Sequence, residues 1–440
     1  MKSKLHLVQV AEAEQVPAVR LPDHVQLSLA GIAGQAKDGL LALAVSTGLA
    51  VLHETMEWEV DRIVGPKGRQ DAERVAKRHG HTGGEVTLGG RRVAISRPRV
   101  RTADDTAEIG LESYREFADR DLLERVALER MLAGVSTRRS RRVAEPVGEQ
   151  VESEARSTSK SAVSRAFIAR TRTALEQLLG RDLSGLQLAA VMIDGIDLAA
   201  TTHVVALGIT MDGTKIPLSL REGSTENATV ATALLSDLVD RGLRLSEEQL
   251  FVLDGAKALR KAVRQVAGER ALVHRCHIHK SRNVCDHLPE RERPWVRAKL
   301  NAAWKDPSHD DALASLEALA AQLARVYPDA AGSLREGMTE TLTLTRLGVT
   351  GALWRTLRST NPIESMFDTV RTTQRNVKRW QPGDMRLRWT AAGMLQAQQG
   401  FRRVKGHRDL PKLTAAIARE LSLPQPNPVL TEEAARVHAA

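Results

Sequence analysis

Hydrophobic residues recur with two different periods along this chain, and the changes of period divide it into segments. Leu, Ala, Val and Ile lie at helical spacing over residues 27–62. Over residues 82–100 the pattern becomes that of two strands, and Gly89-Gly90 predicts the tight turn of a β-hairpin between them. We therefore expect residues 1–103 to form a helical region that carries one hairpin.

The next predicted region, residues 104–180, is helical and rich in arginine. Helical spacing over 104–135 is followed by an arginine cluster and then by a helix that opens near Ser157 with small polar residues. This pattern fits a helix-turn-helix that reads the major groove, although two surface helices with solvated arginines would give the same pattern. The candidate DNA-contacting residues of this region are Arg138, Arg139, Arg141, Arg142, Lys160 and Arg165.

From residue 185 onward, short apolar runs predict strands. The runs are residues 186–193, 202–210, 215–220, 250–253 and 271–276. A meander of three strands, followed by strands that alternate with helices, predicts a mixed five-stranded sheet in an α/β fold. This order is the one found in ribonuclease H-like catalytic domains.

The remaining boundaries follow from the same reading. Residues 185–286 would be the first part of the catalytic core and residues 351–410 its second part. Residues 287–350 are rich in Ala, Leu and Glu at helical spacing, which predicts an all-helical insertion between the two parts. Residues 411–440 are expected to form a C-terminal tail.

The charge balance favours a polyanionic partner. The 440 residues include 64 Lys and Arg against 54 Asp and Glu, a net charge of +10, and nucleic acid is the simplest such partner. Aromatic residues make up only 3%, so base stacking is not expected as the main binding mode. The chain has only two cysteines, and its N-terminus lacks the pattern of a signal peptide. No apolar stretch is long enough for a bilayer. These features favour a cytoplasmic protein without membrane contact.

Three carboxylates stand where such a fold can bring them together. Asp194 follows the first apolar run, Asp254 follows the fourth, and Glu364 lies near the start of a predicted helix. Clustered carboxylates repel one another unless a cation lies between them, so these acids predict a hard divalent metal, Mg²⁺ or Mn²⁺, with two ions per site. Two metals held in this way drive attack on a phosphodiester. A single Asp after a strand is more often a turn former or a helix cap, and Asp197 and Asp212 are assigned to turns.

A second group of candidate residues lies between the second and third acids. Cys276 and His279 have the C-x-x-H spacing of zinc sites, which Cys285 and His287 would complete. A helix that starts near His277 would place the last two on different faces. A structural Cys–His contact behind the active site and a group of donors facing phosphate are the other interpretations.

A basic run follows the third acid. Residues 371–408 contain ten Lys or Arg and one acid, Asp384. A solvated basic face is the usual explanation of such a run. Because Arg371 lies two helical turns from Glu364, on the same face, we expect phosphate binding beside the metals. The candidates are Arg371, Arg375, Lys378 and Arg379.

Taken together and in this order, these residues resemble the Mutator-type insertion-sequence transposases of bacteria, a DDE family. The resemblance covers residues 186 to about 410 well and residues 80–180 less closely. Its motifs are Ile193-Asp-Gly-Ile196, Leu253-Asp-Gly-Ala-Lys-Ala-Leu259, Cys276-x-x-His279 with Ser281-Arg-Asn283, and Thr360-Asn-Pro-Ile-Glu-Ser365 with Arg371 beyond it. Pro362 and the Arg at position 371 depart from the common family pattern, and neither is a metal ligand.

The resemblance implies a function. Asp194, Asp254 and Glu364 would be the catalytic metal ligands for Mg²⁺-dependent cleavage and strand transfer. The partners would be double-stranded DNA, as terminal inverted repeats and as target, with a homodimer on paired ends and a location at the nucleoid. A structure-selective nuclease on the same fold, a domesticated or inactive transposase-derived DNA-binding protein, and a zinc-dependent regulator built on Cys276 and His279 are the alternatives.

Overall fold

The computed structural model describes residues 40–69, 74–88, 91–119, 121–139, 159–198, 201–223, 228–246 and 248–422. The chain divides into two units. The first lies within Met1–Arg130 and Val135–Phe167, and the second within Met131–Gly134 and Ile168–Ala440. Among the described residues, no helix combines the length and hydrophobicity needed to cross a bilayer.

The first unit is built on the predicted hairpin. Its elements are α1 (Leu40–Val64), β1 (Ala76–Leu88), β2 (Arg91–Thr102), β3 (Glu108–Ile109), α2 (Glu112–Ala118) and α3 (Asp121–Leu132). β1 and β2 pair antiparallel up to Leu88↔Arg91, which confirms the hairpin. Leu52, Met56 and Val60, four residues apart on one face of α1, belong to the same buried cluster as the hairpin valines. The part of the predicted helix before residue 40 and the glycine turn lie outside the described residues.

The single helix predicted over residues 104–135 is wrong in its first part. Asp104 accepts hydrogen bonds from the N–H and Oγ1 of Thr106, and Asp105 has a φ of 65°. An Asp side chain that bonds the backbone two residues on favours a turn over a helix. The chain therefore turns here and forms β3 against β2 before α2 begins.

The predicted arginine-rich region is described only in part. α4 (Lys160–Gly180) confirms the expected second helix. Arg138, Arg139, Lys160 and Arg165 are exposed. Arg141, Arg142 and the turn between the helices lie outside the described residues, so the helix-turn-helix stays a prediction.

The second unit contains a five-stranded mixed sheet. Its strands are β4 (Leu188–Leu198), β5 (Thr201–Thr210), β6 (Lys215–Gly223), β7 (Leu250–Leu253) and β8 (Leu272–Arg275). The spatial order is β6-β5-β4-β7-β8, with β4, β5 and β6 antiparallel and β4, β7 and β8 parallel. This sheet has the meander followed by parallel strands that the apolar runs predicted.

Helices cover both faces of this sheet, because residues of both faces are apolar along its central strands. One face packs on α5 (Ala228–Asp240) and α6 (Lys257–Ala267). The other face packs on α4 and on four helices that come late in the chain. These four are α12 (Gly351–Leu357), α13 (Asn361–Gln374), α14 (Met385–Gln399) and α15 (Leu410–Ser422).

Residues between the fifth strand and α12 are helical, as predicted, and have a core of their own. The helices are α7 (His277–Asp286), α8 (Arg293–Lys305), α9 (His309–Ala324), α10 (Pro328–Arg335) and α11 (Thr343–Arg346). Leu300, Trp304 and Leu316 are central to this core. Arg275, only 4% exposed, pairs with Glu336 at 2.9 Å, and buried Lys280 donates to the Glu336 carbonyl. These cations hold the helical segment against the end of β8.

The C-terminal tail predicted for residues 411–440 is wrong in its first part. Residues 410–422 form α15, and its Leu413 and Ile417, four residues apart, are buried in the core beside β4. Apolar residues on one face of a helix are stabilised by burial at about 1.5–3 kcal/mol each, so this segment belongs to the fold. Residues from 423 onward lie outside the described residues.

Candidate active site

Parallel pairing of β4 and β7 places two of the predicted acids side by side. Ile193 is in register with Leu253. Asp194 and Asp254, the next residues on the two strands, therefore lie at the same edge of the sheet. Neighbouring strands are about 4.8 Å apart, so the two carboxyl groups interact electrostatically.

Asp194 is not the last residue of its strand, which corrects the expectation. β4 continues to Leu198 and pairs with β5 throughout, so Asp194 lies opposite Val205. The apolar run stops at Asp194 because the parallel neighbour β7 ends there. Asp197, assigned to a turn, also lies in β4, and its Oδ1 accepts a 2.6 Å hydrogen bond from Thr202. Asp212 does lie in a turn, as predicted.

Asp254 follows β7 directly, and a glycine turn fixes its direction. Gly255 has a φ of 110°, which favours glycine. A Cβ at this position would overlap the guanidinium group of Arg275. Asp254 Oδ1 accepts the N–H of Ala256 at 2.8 Å, a local bond typical of turns that start with Asp. The carboxylate is thus oriented by the backbone of its own turn.

Glu364 lies in the first turn of α13, and the sequence explains why the helix starts there. Pro362 is tolerated in the first turn, where backbone N–H groups have no helical partner. Ile363, Phe367 and Val370 are buried on the face that meets the sheet. Burial of each stabilises the docked helix by about 1.5–3 kcal/mol. Packing of this face sets where Glu364 points.

Three side chains converge on one point. Asp194, His279 and Glu364 each offer a ligand atom, and these atoms all lie within 4.8 Å of one another. This is the one group of metal-binding residue types found at such distances among the residues that the structure describes. Glu364 therefore folds back onto Asp194. Asp254 lies directly after the adjoining strand β7, outside this closest group.

The Cys-x-x-His motif joins the start of α7 to the start of α13. Cys276 Sγ is buried and accepts the N–H of Thr360 at 3.4 Å. Thr360 Oγ1 lies 3.4 Å from His279 Nδ1 and donates to Glu364 Oε1 at 3.1 Å. His279 Nε2 lies 3.8 Å from the same carboxylate oxygen. The motif thus fixes the position of Glu364 relative to the sheet.

This geometry does not support the zinc interpretation. The two cysteines face different surroundings. Cys276 faces Thr360, whereas Cys285 Sγ lies 4.0 Å from the carbonyl oxygen of Arg293. The converging group at His279 contains neither sulfur atom. The contacts of Cys276 and His279 with Thr360 instead fit the predicted structural Cys–His contact behind the acids.

The electrostatics of the site leave the acids short of positive charge. Burial raises the pKa of Asp194 to about 7, His279 opposes the rise, and the charge of Asp254 adds to it. A hydrogen bond to Cys276 raises the pKa of His279 to about 9 against the effect of burial, with help from the charges of Cys276, Asp194 and Asp254. An imidazolium is therefore the cation that faces the carboxylates. Oxygen donors around a buried and poorly compensated charge fit a divalent cation.

Exposed basic residues follow Glu364 along the chain, as expected. Arg371, Arg375, Lys378 and Arg379 are all exposed. Arg371 lies 3.3 Å from Asp368, one turn back along α13. Other members of the run have internal roles: buried Arg388 donates to Thr171 and pairs with Asp384, and Arg386 lies 3.6 Å from Glu222.

The role of Thr360 was not predicted from the sequence, which placed His279 behind the active site although His279 lies beside the acids. Thr360 is fully buried and touches Cys276, His279 and Glu364. The available signal was its spacing, since a residue four positions before Glu364 lies on the same helical face. No local signal could bring His279 within reach of Asp194, because the contact depends on how α7 leaves β8.

Comparison with known proteins agrees with this site. A model of the family described as "Transposase, Mutator family" matches residues 21–396. The transposase for insertion sequence element ISRM5 of Rhizobium meliloti (strain 1021) is 27% identical over 323 residues, 73% of this chain and 79% of that protein. The transposase for IS6120 of Mycolicibacterium smegmatis is 32% identical over 197 residues, 43% of this chain and 59% of that protein. The match spans both aspartates, the Cys-x-x-His motif and the Glu364 helix, and the chain therefore belongs to the Mutator family of transposases.

Proposed function

We propose that this protein is a DDE transposase that cleaves and joins DNA at the terminal inverted repeats of an insertion sequence. The observation that carries the proposal is the convergence of Glu364 on Asp194, with Asp254 nearby at the end of the neighbouring strand. Family membership and the transposase names of the relatives support it.

The strand order supports a ribonuclease H-like assignment for the second unit. Three antiparallel strands are followed by two parallel strands, and the first aspartate lies on the central strand. The helices from α8 to α11 separate the second aspartate from the glutamate along the chain. In this proposal they are an insertion into one catalytic domain, and the acids of that domain meet at one edge of its sheet.

The three acids would hold two divalent cations, Mg²⁺ or Mn²⁺. Asp194 converges with Glu364 and interacts electrostatically with Asp254, so in this proposal it would contact both ions, with Asp254 on one and Glu364 on the other. When bound, the ions supply charge neutralisation and an activated oxygen nucleophile for attack on a phosphodiester. Oxygen donors are the ligands that such hard cations prefer.

The remaining residues of the site position and balance these acids. Thr360 donates to Glu364 and so limits its rotation. A hydrogen bond to Cys276 and the neighbouring acids raise the pKa of His279 to about 9, so its imidazole would carry positive charge beside Glu364. Within the same site, a positive imidazolium can face the charged oxygens of a phosphodiester, where it would stabilise negative charge.

The DNA partners follow from the proposed reaction. Exposed basic residues on and after α13 would contact the backbone beside the acids, and the exposed basic residues at 138–139 and in α4 would bind the inverted repeats. Cleavage at two ends of one element would involve a homodimer on paired ends.

The proposal is tested by changing the acids one at a time. Asp194→Ala, Asp254→Ala and Glu364→Ala should each abolish Mg²⁺-dependent cleavage of DNA that carries an element end, while binding of that DNA persists. Asp197→Ala is the matched control, since Asp197 lies on the same strand as Asp194 and is exposed. Replacing Mg²⁺ with Ca²⁺ measures binding without cleavage.

The outcomes separate the alternatives. Cleavage that survives in all three acid variants would rule out this site. Hydrolysis without joining, in an assay with a 3′-hydroxyl donor, would indicate a structure-selective nuclease. Binding of the ends without cleavage by the wild-type protein would indicate a transposase-derived DNA-binding protein.

A further inference from the structure

A basic cleft opens on the helical segment next to the proposed active site. It has a volume of about 270 Å³ and lies between α7, α8 and the end of α12. Arg282, Arg297 and Arg358 line it, together with the polar side chains of Ser281 and Asn301. None of its eight described lining residues is acidic.

The three arginines come from three separate elements and keep their charge available. Arg282 lies on α7, Arg297 on α8, and Arg358 directly after α12. In the described part of the chain, none of these guanidinium groups forms an ion pair with a carboxylate. Like charges gathered without a counter-charge repel one another, so the arrangement favours an anion between them. Arginine is suited to phosphate because its donors match the oxygen geometry.

Two buried, stacked rings form the floor of the cleft and leave no room for a base. The ring of His277 stacks on Trp304 with 4.2 Å between centroids, and Trp304 is only 2% exposed. A base therefore has no open aromatic face to stack on here. Charge, and not stacking, would select the ligand, as in contacts to the nucleic-acid backbone.

The cleft and the acids share elements. α7 presents His279 to the acids, whereas Ile278 and Ser281, turned by about 100° and about 160° around the helix axis, line the cleft. The N–H of His277 donates to the carbonyl of Arg358, two residues before Thr360. The cleft is thus about one helix diameter, ~10–12 Å, from the acids. At ~3.4 Å of rise per nucleotide, this distance spans about three nucleotides.

We propose that this cleft binds a backbone phosphate of the DNA strand that enters the active site, within about three nucleotides of the scissile phosphate. The inference rests on the proposed function for the identity of the strand. It assigns the helical segment a role in holding DNA, through Arg282, Arg297 and Arg358. A phosphate held there would fix the register of the strand at the acids.

The test uses the full-length protein and a labelled duplex that carries one end of the element, identified from the DNA that flanks the gene. Arg282→Gln with Arg297→Gln removes two exposed charges from the cleft. Arg325→Gln with Arg335→Gln removes the same charge from exposed positions elsewhere on the helical segment. Affinity of the cleft variant should fall about 10- to 100-fold, and the slope of log affinity against log salt should fall by about 0.9. A random duplex should show a similar loss, because phosphate contacts do not depend on sequence.

A second measurement locates the contact. Methylphosphonate substitutions, which remove the charge of one phosphate at a time, are placed at successive positions near the cleavage site. At one position within about three nucleotides of it, neutralisation should weaken binding by the wild type but not by the cleft variant. A cleft variant that matches the control pair in affinity, salt slope and methylphosphonate profile would overturn the proposal.

The two proposals fail in different ways. If the cleft variant binds DNA normally while the wild type cleaves with Mg²⁺, the cleft inference fails and the proposed function stands. If the wild type never cleaves but the cleft variant loses affinity and salt slope, the cleft binds DNA phosphate and the proposed function fails. Thermal melting of each variant, expected to match the wild type, shows that a loss of binding is not a loss of fold.

Discussion

Replacing Thr360 with Val tests whether the Cys-x-x-His motif positions Glu364. The substitution keeps the shape of the side chain and removes its hydroxyl group. In the structure this hydroxyl donates to Glu364 Oε1 at 3.1 Å and lies 3.4 Å from His279 Nδ1. Because Thr360 is fully buried, no solvent replaces the lost donor at its own position.

The expected effect can be estimated from that one bond. A hydrogen bond to a charged group contributes about 1.5–3 kcal/mol, and part of it is recovered when Glu364, which is partly exposed, gains water. A remaining loss of about 1–2 kcal/mol in positioning Glu364 corresponds to a cleavage rate about 5- to 30-fold slower. Binding of DNA should be unchanged, since Thr360 has no exposed surface.

Single-turnover cleavage of an element end at saturating protein, with Mg²⁺ titrated, measures this effect. Thr360→Ser retains the hydroxyl and should cleave within about threefold of the wild-type rate. Thr369→Val removes a hydroxyl from the same helix, which bonds the carbonyl of Ser365 one turn back, and should leave the rate unchanged. A Thr360→Val protein that cleaves as fast as the wild type at every Mg²⁺ concentration would refute the positioning role.

Three further predictions concern stability and need no DNA substrate. Gly255→Ala should lower the free energy of unfolding by more than about 1 kcal/mol, because φ is 110° and the new Cβ would overlap Arg275. Urea unfolding measures this loss, and an unchanged midpoint would contradict the turn geometry. Lys280→Met should lower the free energy of unfolding by about 1–3 kcal/mol, because the Ser333 carbonyl loses its donor, whereas the Glu336 carbonyl keeps a hydrogen bond from Arg275. An unchanged midpoint in the same assay would contradict the contacts. Burial lowers the pKa of His277 to about 4, below its ordinary value of about 6.5, so the unfolded state binds more protons between these values. The contribution of His277 to stability should be fully present above pH 6.5 and fall by about 3 kcal/mol as the pH drops to about 4. Because burial also shifts the pKa of Asp194 and of His274, this contribution is measured as a difference between two proteins. A drop from pH 7.5 to 5 should lower the urea midpoint of His277→Gln less than that of the wild type, and equal changes would contradict the burial of His277.

Much of the second unit could be predicted from local pattern. β7 forms at 250–253 as the apolar run indicates, because a short run that is buried on both sides has few other structures available to it. α13 begins before Glu364 because Pro362 and the spacing of its apolar residues are local features. Residues 104–109 differ from the predicted helix because a turn that starts at Asp104 interrupts the helical spacing around it.

Other features could not be predicted because they depend on partners distant in the chain. Asp194 lies inside β4, since the strand length is set by its antiparallel pairing with β5 and not by its own apolar run. The sequence predicts a tail where the helix at 410–422 forms, because the apolar face of this helix is stabilised only by the core that buries it.

The sequence by itself determined the order of the five strands of the second unit and the helical segment after them, together with the three acids and the motif between them, since these are encoded in residue type and spacing over short distances. Only the tertiary structure decided that His279 meets Asp194 and Glu364, that Thr360 holds them in register, and that three arginines gather beside α7. The physical reason is that such contacts join residues up to 170 positions apart, as between Asp194 and Glu364. Their geometry is set by how helices pack on a sheet, and side-chain burial supplies the free energy that fixes that packing.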